Sequence, residues 1–356
     1  MKTSEFDFCL PSELIAQHPP KRREDARLLV LERESGRIAH QSFSEGIEYF
    51  RAGDLLVLND TRVIPARLLG KRAVTGGKAE VLLLSPLGDG GWKALIRPAR
   101  RARAGTEIEF GPSLKAIVRE REEGGGVILD FPGGGDILPA LEEQGLTPLP
   151  PYIKRDLKDY PEELRAEDRS RYQTVFARRP GAVAGPTAGF HFTPEILDTL
   201  RAKGVEIAFI TLSVGYGTFQ PVKTEEIEDH RIHTEDFQIP KETADLVNRL
   251  QDTGGRLWAV GTTVVRALES GVDRTGRLDP TEGSTDIFIY PGYEFKLKYN
   301  LLTNFHLPGS TLIMLVSALA GQKLIRKAYA EAIKEKYRFY SYGDAMLIRT
   351  TSEESQ

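Results

Sequence analysis

Short apolar runs bounded by glycine or charged residues dominate the start of the chain. Leu28–Leu31 and Asp54–Leu58 have the length and the flanking residues that are typical of buried strands. Ligands bind beyond the carboxyl ends of strands in open α/β sheets. We therefore expect the polar sequence that follows the second run to lie at a binding site: Asn59, Asp60, Thr61 and Arg62.

The pattern changes between about Arg67 and Leu149. Short apolar segments in this stretch are separated by glycine-rich turns: Glu80–Leu84, Trp92–Arg97, Glu107–Phe110, Leu114–Val118 and Val127–Phe131. Closely spaced strands without a helical period predict a small β-barrel or sandwich. The proline cluster at residues 148–151 allows neither a helix nor a central strand, so it predicts the exit from this unit. We interpret residues 67–150 as an inserted all-β barrel domain.

Strands alternate with helices beyond residue 151. The predicted order is helix Pro194–Gly204, strand Val205–Leu212, helix Lys241–Gly254, strand Arg256–Val260, a helix from Thr262 to Glu269 and one long helix from Ser310 to Ala332. Such alternation predicts a largely parallel sheet or barrel. The predicted fold class is therefore α/β. A larger barrel-like α/β domain comprises residues 1–66 and 151–356 and carries the small β-barrel as an insertion.

Composition narrows the function classes only slightly. The single cysteine, Cys9, excludes an intramolecular disulfide and a cysteine-based zinc site, and it fits the reducing cytoplasm, where we expect the protein to be. The first residues carry Glu5 and Asp7 and do not resemble a secretory signal. The apolar stretch Leu312–Ala320 is too short to span a bilayer, so no membrane partner is expected.

Charge does not by itself indicate a nucleic-acid partner. The formal net charge is −3 at pH 7, although arginine and lysine residues cluster locally. Most such clusters are solvated faces, and a phosphate track requires several of them on one side of the molecule. The clusters are Arg97, Arg100, Arg101 and Arg103; Arg165, Arg169 and Arg171; Arg178 and Arg179; and Lys323, Arg326 and Lys327.

Four of the six histidines lie in polar turn sequences near predicted strand ends. They are His191, His230, His233 and His306. Histidine suits proton transfer or metal binding because it titrates near neutral pH. A buried structural histidine explains any one of them equally well, but three such sequences together favour a site. The spacing of His230 and His233 would also suit a metal on one helix, which is the less favoured alternative without a cysteine partner.

Two further turns have the features of ligand-binding loops. Residues 215–219 form a glycine loop, Gly215-Tyr216-Gly217-Thr218-Phe219, after a predicted strand, where glycine allows close approach to a ligand. A tight turn is the alternative. The turn at Gly261-Thr262-Thr263 opens a helix whose free N–H groups suit a carboxylate or phosphate, with Arg266 one turn further on. A capped helix with a surface arginine explains this second sequence equally well.

Taken together, these segments resemble the S-adenosylmethionine:tRNA ribosyltransferase-isomerase family of queuosine biosynthesis. The resemblance runs through stretches 58–68, 148–155, 171–176, 186–193, 261–269, 290–293, 303–308 and 342–346. It extends from the first strands to the end of the chain. Three positions depart from the family pattern: Ser213 replaces an expected histidine, Gly185 an alanine and Gly309 a lysine.

The resemblance implies a fold and a reaction. The fold is an α/β barrel-like domain with an inserted small β-barrel. The enzyme transfers and isomerises the ribosyl part of S-adenosylmethionine onto preQ1 at the tRNA wobble position, and the products are epoxyqueuosine-tRNA, adenine and methionine. S-adenosylmethionine is consumed as a co-substrate, and no other cofactor or metal is expected. The partners are tRNA carrying preQ1 and S-adenosylmethionine, and we expect a monomer, with a dimer as the alternative.

The chemistry then assigns candidate roles. Proton transfer is assigned to His191 and His306, with Asp60 and Asp344 as carboxylate alternatives. The aromatic rings assigned to contact the sulfonium are those of Phe190, Phe192, Tyr216 and Phe219. The methionine carboxylate is assigned to Thr262, Thr263 and Arg266. Further substrate-binding candidates are Asn59, Thr61, Arg62, Thr187, Gly215, Gly217, Thr218, Tyr290 and Asn304, with His230 and His233 as additional pocket residues. Contacts to tRNA phosphates are assigned to Lys154, Arg155 and Arg171.

Three competing functions predict different observations. A methyltransferase would carry a glycine-rich loop after its first strand and would release no adenine. A noncatalytic RNA-binding module would bind tRNA without any dependence on a second ligand. A histidine-ligated metal hydrolase would lose its metal on mild chelation.

Overall fold

The computed structural model describes residues 1–122, 125–133, 135–219 and 221–350, and for Phe219 it describes the backbone alone. The strands are β1 (Arg27–Glu32), β2 (Ile38–Ser42), β3 (Leu55–Asn59), β4 (Thr61–Val63), β5 (Arg67–Arg72), β6 (Lys78–Pro86), β7 (Trp92–Arg97), β8 (Glu107–Glu109), β9 (Lys115–Arg121), β10 (Gly126–Asp130), β11 (Arg179–Ala182), β12 (Glu206–Leu212), β13 (Glu235–Ile239), β14 (Leu257–Val260), β15 (Thr281–Thr285), β16 (Tyr299–Asn304) and β17 (Ala345–Arg349). The α-helices are α1 (Leu138–Gln144), α2 (Glu162–Arg171), α3 (Pro194–Ala202), α4 (Lys241–Thr253), α5 (Thr262–Gly271), α6 (Thr311–Ala320) and α7 (Gln322–Lys334).

A nine-stranded mixed sheet forms the larger part of the molecule. Its strand order is β15-β13-β12-β3-β14-β16-β17-β1-β2. The four central strands, β12, β3, β14 and β16, are parallel to one another, whereas β13, β15 and β2 pair antiparallel with their neighbours and β17 is antiparallel to β16. The predicted parallel sheet therefore describes the centre of the sheet and not its edges.

Burial on both faces explains the apolar run Leu55 to Leu58 in the central strand β3. All five of its residues are buried. Leu55 and Val57 belong to the apolar cluster on one face of the sheet, and Leu56 and Leu58 belong to the cluster on the other face. A strand covered on both faces requires a continuous apolar run, which is the pattern that predicted this strand.

The helices that cover the sheet begin as their sequences predict, with one exception. The Thr193 hydroxyl accepts a hydrogen bond from the Ile196 N–H (3.3 Å) at the start of α3, and Pro194 takes the first helical position. The single helix predicted from Ser310 to Ala332 is wrong, because the structure has two helices that meet at Gly321. Gly321 has φ +89°, which ends α6 and starts α7 in a new direction.

The inserted segment forms a closed six-stranded antiparallel barrel. Its order is β10-β7-β6-β5-β8-β9, and its interior is filled by apolar side chains such as Val81, Leu83 and Val118. The backbones of Arg67 and Leu146 exchange two hydrogen bonds (3.1 and 2.7 Å), so the chain enters and leaves the barrel at the same place. The predicted α/β fold with a small β-barrel is confirmed, while the domain limits at residues 67 and 150 stay a prediction.

Candidate active site

A solvent-open cleft lies beyond the carboxyl ends of β12, β14 and β16, where the strand pattern predicts a site. We call it cleft A; its empty space measures about 540 Å³. The start of α5 and the turn at Thr187 form one side, and Asn304 and His306 form the other. Its lining includes Tyr152, Gly185, Thr187, Val214, Thr218, Gly261, Thr262, Thr263, Thr303, Asn304, His306, Leu312, Tyr340 and Ser341.

A second cleft, cleft B, adjoins cleft A and has about 670 Å³ of empty space. The two clefts share Thr218 and Leu312. Cleft B is the more polar of the two in its side chains, and it contains Gly217, Lys223, His230, His233, Glu235 and Arg266. The two clefts therefore meet at Thr218 and Leu312.

His306 is the one histidine that lines cleft A. Its Nε2 lies 3.1 Å from the Thr303 hydroxyl, and its backbone N–H donates to the Tyr329 hydroxyl (2.9 Å). Burial lowers the pKa of His306 to about 3. The imidazole is therefore neutral near pH 7, and the burial that keeps it neutral also makes it a weaker proton acceptor than a solvated histidine.

His191 lies behind the cleft wall and lines neither cleft. Its ring packs 5.1 Å from the ring of Phe43, between centroids. Burial lowers its pKa to about 4, although Asp344 and Asn304 favour the charged form. Nε2 of His191 is buried and has no hydrogen-bond partner within the described residues.

Comparison with known proteins agrees with the motifs. Residues 3–348 match the family model described as queuosine biosynthesis protein. The chain belongs to this family. It is 49% identical to S-adenosylmethionine:tRNA ribosyltransferase-isomerase of Acetivibrio thermocellus, over 98% of this chain and 100% of the relative. It is 50% identical to the enzyme of the same name from Halothermothrix orenii, again over 98% of this chain and the whole relative.

A solved structure of the family is also similar. The crystal structure of S-adenosylmethionine tRNA ribosyltransferase from Thermotoga maritima is 40% identical, with a TM-score of 0.55. The match covers 97% of this chain and 100% of that chain. The predicted family and the predicted enzyme class are confirmed.

The two carboxylates assigned to proton transfer hold the structure together and do not line either cleft. The Asp60 carboxylate accepts from the Thr211 hydroxyl (2.6 Å). Asp344 accepts the backbone N–H groups of Arg27 (3.0 Å) and Arg338 (2.8 Å) and pairs with the Arg338 guanidinium (3.2 Å). Both acids are thereby occupied by neighbours, and their catalytic roles stay predictions.

The predicted substrate-binding residues divide into two groups. Those on the cleft walls are Thr187, Gly217, Thr218, Thr262, Thr263, Arg266 and Asn304, together with His230 and His233. Those away from clefts A and B are Asn59, Thr61, Arg62, Phe190, Phe192, Gly215, Tyr216 and Tyr290. The amide of Asn59 joins the central strands β3 and β12 through the Leu212 backbone, and Arg62 pairs with Glu142 of α1. The side chain of Phe219 lies outside the described residues.

Glu235 is a buried cleft residue that the motif search missed. It accepts from the Gly215 N–H (2.7 Å) and the Thr218 hydroxyl (3.3 Å), and it forms an ion pair with Arg266. Alternation along β13 places Glu235 on the same face as Phe237 and Ile239, and that face is buried. A carboxylate on the apolar face of a strand was the signal available in the sequence.

The three residues predicted to contact tRNA differ in the exposure and the bonding of their charged groups. Lys154 is exposed, whereas the Arg155 guanidinium is buried against Asp168 (2.7 Å). Arg171 donates to the carbonyl oxygens of Lys21 (3.0 Å) and Pro20 (2.7 Å). Lys154 is the most exposed of the three, whereas Arg155 and Arg171 already donate to protein oxygens and have fewer donors left for phosphates.

Ser213, the departure from the family pattern, lies outside both clefts. Its backbone N–H donates to the Asp236 carbonyl (2.9 Å) at the start of the loop that leads to Gly215. The described residues contain no group of three or more His, Cys, Asp or Glu side chains placed to hold a metal ion. None of the helices described here is long and apolar enough to cross a membrane.

Proposed function

We propose that this chain transfers and isomerises the ribosyl part of S-adenosylmethionine onto the preQ1 base of tRNA, with release of adenine and methionine. The observation that supports it best is the pair of adjoining clefts that share Thr218 and Leu312. A two-substrate reaction requires such a junction, because the attacking amine and the ribose have to meet in one place. The relatives' names supply the two substrates.

Cleft A is the better place for the sulfonium and the ribose. The ribose carbon next to sulfur loses a proton and its bond to sulfur, and it gains bonds to the anomeric carbon and to the ring oxygen. The anomeric carbon loses its bonds to adenine and to the ring oxygen, and it gains the bond to the preQ1 nitrogen. Of the two protons released, one from the ribose carbon and one from the preQ1 amine, one goes to the departing adenine and the other to solvent. His306, the histidine on the wall of cleft A, is the proposed acceptor of the ribose proton.

The start of helix α5 and the side chain of Arg266 are assigned to different groups of the ligands. The first N–H groups of α5, at Thr262 and Thr263, border cleft A and suit the methionine carboxylate. Arg266 borders cleft B, and its Nη2 is buried without a partner among the described residues. We assign to Arg266 an oxygen of the ligand in cleft B, since an unpaired buried donor costs about 1–3 kcal/mol.

The proposal extends to four properties of the protein. It needs no metal and no cofactor besides the consumed S-adenosylmethionine. It acts as a monomer in the cytoplasm, as its single cysteine would allow. Its barrel, residues 67–150, is a separate domain inserted between residues 1–66 and 151–356.

The deciding experiment is a nucleoside digest with mass spectrometry after incubation with S-adenosylmethionine and preQ1-tRNA. We expect loss of preQ1, gain of epoxyqueuosine and release of adenine. In single-turnover reactions His306→Gln should be slower by about 10²–10⁴-fold, the usual worth of a general base, with the Kd for S-adenosylmethionine nearly unchanged. The exposed His18 supplies the matched control, His18→Gln, which should react at the wild-type rate.

Other results would replace the proposal. A methylated nucleoside without free adenine would establish a methyltransferase, and tRNA binding with no turnover in a folded protein would establish a binding module. Product formation by His306→Gln at the wild-type rate would remove that residue from the catalytic roles.

A further inference from the structure

Four arginines lie close together at one end of the barrel strand β7. Arg97 ends the strand, and Arg100, Arg101 and Arg103 follow in the next turn; we call them the arginine strip. All four are exposed, and none forms an ion pair within the described part of the chain. Arg119, on the same barrel, is different because it pairs with Asp89 and Asp130 (both 2.5 Å).

Unpaired cations in one short segment create a local positive potential that the net charge of −3 conceals. A charge that already has an acidic partner loses that contact when it binds a phosphate, whereas these arginines lose only water. The strip is therefore better suited to a polyanion than Arg155 and Arg171, whose guanidinium groups are held by protein oxygens.

Arg97, at the start of the strip, lines a cleft that we call the barrel groove. Its empty space is about 990 Å³, and it lies between the outer face of β5–β7 and the segment that leaves the barrel. Arg97 lies on one wall and Lys154 on the opposite wall. The acid in the lining is Glu80, opposite Arg97 in the strand register, and its carboxylate forms an ion pair with Arg67.

The barrel groove lies close to clefts A and B at one turn of the chain. Tyr216 lines the groove, and Thr218, two residues later in the same turn, lines clefts A and B. Two residues span at most about 7 Å of chain. A strand of nucleic acid lying in the groove would thus reach the junction of the two clefts without a long gap.

We propose that the arginine strip and the barrel groove bind the phosphate backbone of tRNA beside the base that enters the active site. This inference rests on the proposed function, which makes tRNA the substrate. Phosphate contacts position a nucleic acid and do not read its sequence, so the strip acts on tRNA affinity and leaves the chemistry unchanged.

The test compares two triple variants that remove equal charge. The strip variant is Arg97→Gln, Arg100→Gln and Arg101→Gln. The control variant is Arg37→Gln, Arg274→Gln and Lys323→Gln, three exposed residues elsewhere that also have no ion-pair partner among the described residues. The Kd for preQ1-tRNA is measured between about 50 and 200 mM KCl, where counterion release dominates. The Kd for S-adenosylmethionine and the melting temperature are measured alongside.

We expect the strip variant to bind tRNA at least about tenfold more weakly at low salt. The slope of log affinity against log salt should be shallower by about 2–3, roughly one for each lost phosphate contact. Binding of S-adenosylmethionine and the melting temperature should match wild type. Lys154→Gln should lower the slope by about 1, which tests the opposite wall.

Equal losses in the strip and control variants would overturn the inference, because they would reflect overall charge alone. Unchanged tRNA binding in the strip variant would also overturn it. If the strip variant shows the expected loss but wild-type protein makes no modified nucleoside, the inference stands and the proposed reaction is the part that fails.

Discussion

Burial decides what His191 and His306 are able to do. Both side chains have pKa values lowered by desolvation, to about 4 and about 3, so both are neutral at pH 7. His306 borders cleft A, and for that reason the proposed function assigns to it the proton taken from the ligand. His191 packs against Phe43 behind the wall, where a neutral ring is compatible with the apolar surroundings.

The same pKa shift links stability to pH. A histidine titrates near 6.5 when unfolded, so between pH 6.5 and about 4 the unfolded chain binds the proton that folded His191 excludes. The free energy of unfolding therefore falls as pH falls through this window. The free energy of unfolding should fall between pH 7 and 4.5 in both proteins, and the fall should be smaller in His191→Gln than in wild type by about 2–3 kcal/mol. Urea denaturation at each pH measures the difference.

The exposed His18 provides the comparison for that experiment. His18→Gln should follow the wild-type curve of unfolding free energy against pH. Parallel curves for all three proteins would show that the burial of His191 contributes nothing to acid sensitivity.

The sequence identified candidate site residues, but it did not show which of them face a cleft and which face the core. The turn sequences identified His230, His233 and His306, which the structure places on cleft walls. Nothing in the sequence distinguished them from His191, since which side of a turn faces the core depends on elements far along the chain. The partners of Asp344 show the same limit, because Arg27 lies more than 300 residues away.

At the scale of elements, one ion pair fixes helix α5 to strand β13. Arg266 on the helix and Glu235 on the strand are both buried, and Glu235 also holds the loop at Gly215 and Thr218. Removing one member of a buried pair leaves the other charge unpaired in a poorly solvated place, which typically costs 3–5 kcal/mol. The pair therefore positions the loop between the clefts as well as joining the two elements.

This contact predicts a large single-variant effect and a smaller double-variant effect. Arg266→Met should lower the free energy of unfolding by about 3–5 kcal/mol, because Glu235 is left unpaired. Glu235→Gln combined with Arg266→Met should recover a substantial part of that loss. Denaturant titrations of the single and double variants measure both.

The exposed pair between Arg277 and Asp252 (3.0 Å) is the matched control. Arg277→Met should cost at most about 1 kcal/mol, since exposed pairs contribute little. If Arg266→Met costs no more than this control, Glu235 is able to find another partner and the pair does not fix the loop.

Periodicity predicted most elements but not where one helix ends. Apolar spacing continues from Ser310 to Ala332, and an isolated glycine within such a pattern is tolerated in many helices. Whether Gly321 takes φ +89° is decided by how α6 and α7 pack on the sheet. Strand β13 shows the opposite case, because its alternating burial was visible in the sequence and would have identified Glu235.

At the scale of the whole molecule, the order of strands brings the clefts together. β3, β12, β14 and β16 are adjacent in the sheet although they lie as far apart as residues 55 and 304. The sequence predicted strands, polar strand ends and an inserted barrel, but not which strand ends are neighbours. Pairing over such separations depends on packing of the complete chain and leaves no local signal.

The barrel and the sheet should be separable at the point where the chain enters and leaves. Arg67 and Leu146 form a backbone pair, and antiparallel partners have Cα atoms about 5.5 Å apart, so a short turn between them is able to replace residues 68–145. Val183 packs into the barrel core from the sheet side. The shortened chain and a full-length control should therefore both carry Val183→Thr, to reduce the apolar surface that the deletion exposes.

We expect the shortened chain to fold and to bind S-adenosylmethionine with a Kd within about threefold of the control, because clefts A and B contain no residue of the barrel. Affinity for preQ1-tRNA should fall at least as far as in the strip variant, since the barrel groove is removed with its arginines. Calorimetry and filter binding measure the two affinities. Loss of S-adenosylmethionine binding in a folded shortened chain would mean that the barrel shapes the clefts from a distance and that residues 67–150 are not a separate domain.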